Sequence, residues 1–166
     1  MDAVAGRKPG RALDVGMGEG RNALALAEKG WDVTGVDISE AGVAKAMQVA
    51  RERKLKVAGV IQDIDTFDFG HEQWDLIAFI YMGGPDKDKV EQVKAALKRG
   101  GIVVVERFHP GAAAKQTTGH DETVVAKDDW SKLYAGWKIL KYEEPVDVSD
   151  WRMEKTRLVR FVAQKP

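Results

Sequence analysis

Residues 12–37 read ALDVGMGEGRNALALAEKGWDVTGVD, and their order decides the fold. Ala12–Val15 is a short apolar run with the character of a buried strand. Gly16, Gly18 and Gly20 alternate through the turn that follows. Glu19–Lys29 has helical spacing and stops at Gly30. Asp32–Val36 is a second apolar strand, and Asp37 stands at its tip. Strand, glycine-rich turn, helix, strand and terminal acid build a mononucleotide-type pocket. The glycines let a ligand approach the backbone, and the carboxylate at the second strand tip can hold a ribose diol.

The alternation continues outward. Ser39 caps a helix running to about Lys54, Val57–Gln62 is strand three and Trp74–Ile80 strand four. Pro85 and Asp86 introduce a helix to about Arg99, closed by Gly100 and Gly101, and Ile102–Glu106 is strand five. Phe108–Lys127 is polar and rich in Gly, Ala and Thr, an extended loop. Asp128 caps a short helix through Tyr134. Trp137–Val148 and Glu154–Ala163 then read as two long strands joined near Ser149 and Asp150, with no helix between them, so they pair antiparallel. The expectation is an α/β, Rossmann-like, doubly wound sheet of seven mostly parallel strands ending in an antiparallel β-hairpin. A single domain over residues 1–166 accommodates it.

Composition narrows the function. Lys plus Arg and Asp plus Glu are both 26, a formal net charge of zero, which argues against a strong nonspecific grip on nucleic acid. Cysteine is absent, which excludes disulfides, thiolate zinc ligands and thiol catalysis. The longest apolar run, Leu76–Met82, is too short to cross a bilayer, and MDAVAGRKPG at the N-terminus lacks an apolar signal core. A cytoplasmic protein without a membrane partner is expected. His71 and His120 have no partner at metal-ligand spacing, so no metal site is expected.

The turn itself separates the nucleotide classes. In the dinucleotide pattern G-x-G-x-x-G the third glycine, counted from Gly16, falls on Arg21. No Gly-Lys-Ser/Thr follows the glycines, as a triphosphate loop requires. Asp14 and Glu19 beside the turn repel a pyrophosphate and suit a cofactor carrying sulfonium and ammonium groups.

These residues resemble a class I S-adenosylmethionine (SAM)-dependent methyltransferase of the small-molecule type, akin to tellurite- and thiol-methylating enzymes. LDVGMGEGRNALALA is similar to the family's first motif, with Asp14, Gly16, Gly18 and Gly20 on its acidic-x-Gly-x-Gly-x-Gly pattern. VTGVDIS is similar to the second motif, QDIDTFDF to the third, and FDFGHEQWDLIAFIYM and LKRGGIVVVE to the elements around strands four and five. The resemblance implies SAM as cofactor and S-adenosylhomocysteine as product. It implies a cofactor set of Asp14, Gly16, Gly18, Gly20, Asp37 on the ribose, Ile38 beside it, Asp63 at the adenine amino group and the Ile64 amide at the ring. The terminal hairpin matches the family's reversed seventh strand.

The acceptor side is less determined. An activated methyl group needs an acceptor lone pair held in line and water kept out; a base matters only when the acceptor must lose a proton. Tyr81 ends strand four, where the crevice between cofactor and acceptor should lie. His109 follows strand five and can act as a base near neutrality or bind the acceptor, while Pro110 and Gly111 after it also suit an ordinary exposed turn. Trp130, Tyr134, Trp137 and Trp151 read as core and hairpin packing before an aromatic cage. Asp65 and Asp68 near Asp63 read as solvated loop acids. Strand four is not followed by an Asn-Pro-Pro-Tyr type sequence, which lowers nucleic-acid methylation.

Relatives in this family carry a helical segment before strand one, whereas ten residues precede Arg11 here. The expectation is a more open pocket, with weak affinity and turnover or a second subunit over the gap, in a monomer or homodimer. Three readings stay open: methyl transfer from SAM to a small-molecule acceptor, a SAM- or S-adenosylhomocysteine-binding module with little catalysis, and a nicotinamide-dependent reductase.

Overall fold

The computed structural model describes residues 2–82, 85, 87–109, 127–149 and 153–166. After a single 3-10 turn at Asp2–Val4, the chain runs β1 (Arg11–Val15), α1 (Arg21–Glu28), β2 (Asp32–Asp37), α2 (Glu40–Glu52), β3 (Val57–Ile61), β4 (Trp74–Ile80) and α3 (Lys87–Ala96). It continues through β5 (Leu97–Phe108), α4 (Lys127–Leu133), β6 (Lys138–Glu143), β7 (Val146–Val148) and β8 (Lys155–Gln164). The sheet order is β3-β2-β1-β4-β5-β8-β6, with β7 also on β8. Neighbours from β3 to β5 are parallel, and every pairing of β8 is antiparallel.

Strand alternation splits the core between the two sheet faces. Leu13, Val15, Ile77, Phe79, Val103, Val105 and Phe161 face α3 (Val90, Val93, Ala96), Trp130 of α4 and Tyr134 just after that helix. Ala12, Val33, Leu76, Ile102 and Val162 face α1 (Ala23, Leu26, Ala27) and α2 (Val43, Ala46). Helices therefore cover both faces, the doubly wound arrangement expected. Trp130 and Tyr134 are buried against Phe161, so these rings are core and not an acceptor cage. Trp137 packs edge-on to Tyr134. Trp151 lies outside the described residues, as do Gly83, Gly84, Asp86, residues 110–126 with His120, and Asp150.

Several boundaries differ from the sequence reading: α4 begins at Lys127, ahead of its expected cap Asp128, β5 extends Ile102–Glu106 at both ends, and three further differences have a clear physical reason. The strand expected over Trp137–Val148 is two strands, so the sheet has eight and not seven. The break is Glu144–Pro145, where proline has no N–H for the ladder. The Pro145 carbonyl still accepts the Leu158 amide (2.9 Å), and β7 keeps the register of β6 on β8. α3 ends at Ala96, not Arg99, because Leu97 pairs with Trp74 at the start of β5. α1 starts at Arg21, two residues after Glu19, because the turn continues through Gly20. Ser39 caps α2 as expected, accepting the Gly42 amide at 3.1 Å.

The chain leaves β1 for β2 and β3 on one side, then returns to β4 and β5 on the other. The carboxyl ends of β1 and β4 flank this reversal, where open α/β sheets form their ligand crevice.

Candidate functional site

The crevice is built on the turn after β1. Gly16 (φ 69°), Gly18 (φ 51°) and Gly20 (φ 83°) are all left-handed, a region that side chains resist. A Cβ at Gly20 would lie 2.6 Å from the Ala46 Cβ, so this glycine lets α1 and α2 close on each other. A Cβ at Gly18 would meet nothing within 4 Å, so this position faces open space. At Gly16 the Met82 side chain fills the space, its Cγ 2.4 Å from where a Cβ would stand. Met82 was not anticipated as part of this site. Its contact joins residues far apart in sequence, and only its place just past β4 signals it.

The turn's own amides are engaged. Gly16 and Met17 both donate to the Val36 carbonyl (2.8 and 3.1 Å), Gly20 donates to Met17 O (2.8 Å), and Gly18 donates to Asp37 Oδ2 (2.7 Å). Asp37 Oδ1 accepts the Ser39 amide at 2.8 Å. The half-buried carboxylate at the tip of β2 is thus held by one amide on each oxygen, with lone pairs left for a ligand. Beside it Ile38 is 74% exposed, an apolar side chain left in the open at the crevice.

Asp14 lies one strand residue below the turn and is 1% exposed. The nearby Ala23 amide, in the first turn of α1, favours its charged form. Oδ2 has no hydrogen-bond partner. Burial pushes this acid up to about 7, against the lowering pull of the Ala23 amide and of Arg21.

The end of β3 reaches the same edge, since the Gln62 amide donates to Asp37 O (3.1 Å). Asp63 is exposed and one of its oxygens accepts the Asp65 amide at 2.9 Å. Asp65 pairs with Lys89, and Asp68 accepts the Gly70 amide, so both serve their own loop. The Ile64 side chain packs on the core, and its carbonyl accepts the Phe67 amide at 3.4 Å.

Tyr81 is left-handed (φ 57°), a strained state for a residue with a Cβ. Its amide donates to Glu106 O (2.7 Å), its ring lies 5.1 Å from that of Phe108, and the Arg21 guanidinium sits over it at 5.8 Å. Tyr81 therefore bridges the end of β5 and the start of α1 across the crevice. His109 is turned elsewhere. Its amide donates to Arg157 O, and its Nε2 is 3.4 Å from Glu144, which also binds Arg157 at 2.6 Å. The structure brings Asp14, the three glycines, Asp37 and Tyr81 together, and places His109 against the β6–β7 break.

Comparison with known proteins agrees with this geometry. Residues 12–101, more than half of the chain, match the family model described as a methyltransferase domain. The chain is 28% identical over 180 residues to Hemagglutinin 1 of Eikenella corrodens, covering 99% of this chain and 58% of that protein. It is 25% identical over 157 residues to the probable SAM-dependent methyltransferase TehB of Haemophilus influenzae, covering 87% of this chain and 51% of that protein. The chain thus spans between half and three fifths of the length of these relatives. The crystal structure of TehB from Haemophilus influenzae superposes with a TM-score of 0.80 at 21% identity, over 99% of this chain and 60% of that one, which shows a shared fold. The chain belongs to the class I SAM-dependent methyltransferases.

Proposed function

We propose that this chain transfers a methyl group from SAM to a small-molecule acceptor in the crevice between β1 and β4. One observation carries the reading. The turn has the glycines of a nucleotide site, yet the amides of Gly16, Met17, Gly18 and Gly20 are all bonded within the protein. A pyrophosphate site needs such amides free to meet anionic oxygens. This turn offers a ligand open space at Gly18, an oriented acid at Asp37 and a second, unsatisfied acid at Asp14, which suits a ribose and a cationic tail.

The residues fit the cofactor. Asp37 accepts from the ribose hydroxyls, Ile38 covers an adenine face, Asp63 and the Ile64 amide meet its polar edge, and Gly16, Gly18 and Gly20 give clearance. Bound SAM supplies an activated methyl group on a sulfonium. Tyr81 and Met82 wall the reacting side, and the Arg21–Tyr81–Phe108 stack holds that wall in place. Tyr81 is the better placed of the two expected catalytic residues; His109 contributes through the Glu144–Arg157 network unless the acceptor draws it inward. Family membership favours turnover over a binding-only module, and gives no support to a nicotinamide-dependent reductase. No described helix is long and apolar enough to cross a membrane. A cytoplasmic setting, a single domain, and a monomer or homodimer complete the reading.

Incubation with SAM and a panel of thiols, halides, tellurite, amines and phenols tests it, with S-adenosylhomocysteine as readout. Product should accumulate with at least one class. Firm SAM binding without turnover across the panel would return the chain to a binding module.

A further inference from the structure

Asp14 is the only carboxylate side chain counted as buried among the described residues. Its register partners are Gly35 in β2 and Ala78 in β4, neither of them charged. The ionic groups around it are few. α1 contributes Arg21, whose guanidinium lies over the Tyr81 ring; β2 contributes Asp37, of like sign and already bonded to two amides; Glu19 in the turn is paired with Lys45 of α2. No described cation is bonded to Asp14 Oδ2.

An ionised carboxylate in this position would be dry, would have one oxygen unbonded, and would face a second acid. The neutral acid is the cheaper state, even with the Ala23 amide nearby favouring the charge. A cation arriving at the unbonded oxygen reverses the preference, because the pair then attracts in a medium that screens poorly.

Resting on the assignment of SAM as cofactor, we propose that Asp14 is a proton-exchanging selector for the cofactor's charged tail. It is neutral in the ligand-free protein and gives up its proton to solvent when the ligand's ammonium group reaches it. The ammonium keeps its own protons, no covalent bond forms or breaks in the ligand, and one proton leaves for each ligand bound. SAM and S-adenosylhomocysteine then bind more weakly in acid, and nucleosides without an amino-acid tail do not feel pH through this group.

Calorimetric titration of the intact chain tests this with S-adenosylhomocysteine and with 5′-methylthioadenosine, which lacks the amino-acid tail. Titrations run from about pH 5.5 to about pH 8.5 in buffers of differing ionisation enthalpy. For S-adenosylhomocysteine we expect release of about one proton near pH 6, and a Kd that falls by up to about tenfold per pH unit before levelling above about pH 7. Methylthioadenosine should show neither, and Asp14→Asn should abolish both. An infrared difference spectrum of the unmutated chain gives an independent readout, since S-adenosylhomocysteine should remove a protonated-carboxyl C=O stretch. Binding of S-adenosylhomocysteine without proton release across the range, or equal release with methylthioadenosine, overturns the proton exchange and leaves the cofactor assignment standing. Failure of both nucleosides to bind at every pH overturns the cofactor assignment, and the exchange with it.

Discussion

Asp37 Oδ2 accepts the Gly18 amide at 2.7 Å, so the tip of β2 and the turn after β1 are one unit. The acid that would hold a ribose is also the acid that shapes the glycine turn. Asp37→Ala should therefore act on both. Loss of charged hydrogen bonds to the ribose should weaken S-adenosylhomocysteine by about 1.5–3 kcal/mol, roughly ten- to a hundredfold. Release of the Gly18 and Ser39 amides should lower stability by about 1 kcal/mol. Calorimetry and urea unfolding of the same variant separate the two losses.

Gly18 and Gly20 share a conformation and differ in surroundings. Gly18→Ala forces a left-handed alanine at a cost of about 1–2 kcal/mol and meets no atom in the ligand-free protein. The variant should fold, and its loss of cofactor affinity should exceed its loss of stability, because the new methyl group fills the ligand's space. Gly20→Ala adds a collision with Ala46 between α1 and α2. It should be the more destabilised of the two in thermal unfolding.

Asp14 gives a pH dependence with a definite sign. Its acid is pushed up to about 7 by burial, above the ordinary value of 3.8, so the folded chain binds this proton more tightly than the unfolded chain. Its stabilising contribution is full below about pH 4 and is lost as pH rises towards about 7. The unfolding free energy of the unmutated chain minus that of Asp14→Asn should fall by up to roughly 1.4 kcal/mol per pH unit across that window, then level off. Urea titrations of both proteins at several pH values check it. A difference that grows with pH would contradict the burial argument.

The strained Tyr81 separates backbone from ring. Tyr81→Phe keeps the ring on Arg21 and Phe108 and should change stability by less than about 0.5 kcal/mol. A fall of tenfold or more in kcat/KM for the acceptor, with KM for SAM unchanged, is expected from loss of the hydroxyl. Tyr81→Gly relieves the left-handed backbone and loses both ring contacts. Its SAM affinity should stay within about threefold of the unmutated chain while turnover drops further.

Much of this site was legible because it is local. Asp14, the three glycines and Asp37 lie within one β-α-β unit, where spacing alone sets their order along the crevice; Arg21 entered the sequence reading only as a missing glycine, and its seat over Tyr81 is a contact that spacing did not show. The cap at Ser39 was legible for the same reason. The Glu144–Pro145 break was visible in principle, since proline interrupts a ladder, but the apolar alternation on either side masked it. The early end of α3 was not, because Leu97 is a good helix former claimed by Trp74 across the sheet. Met82 over Gly16 and His109 on Glu144 are contacts between distant segments, which no local spacing encodes. His109 drew attention by residue type; the structure shows that its neighbours are Arg157 and Glu144 and not the glycine turn.

The most direct test of the account is a calorimetric titration of the purified chain with S-adenosylhomocysteine and, separately, with NAD. The bonded amides of the turn and the two acids predict saturable binding of S-adenosylhomocysteine and none of NAD. Saturable NAD binding, with indifference to S-adenosylhomocysteine and SAM, would contradict it.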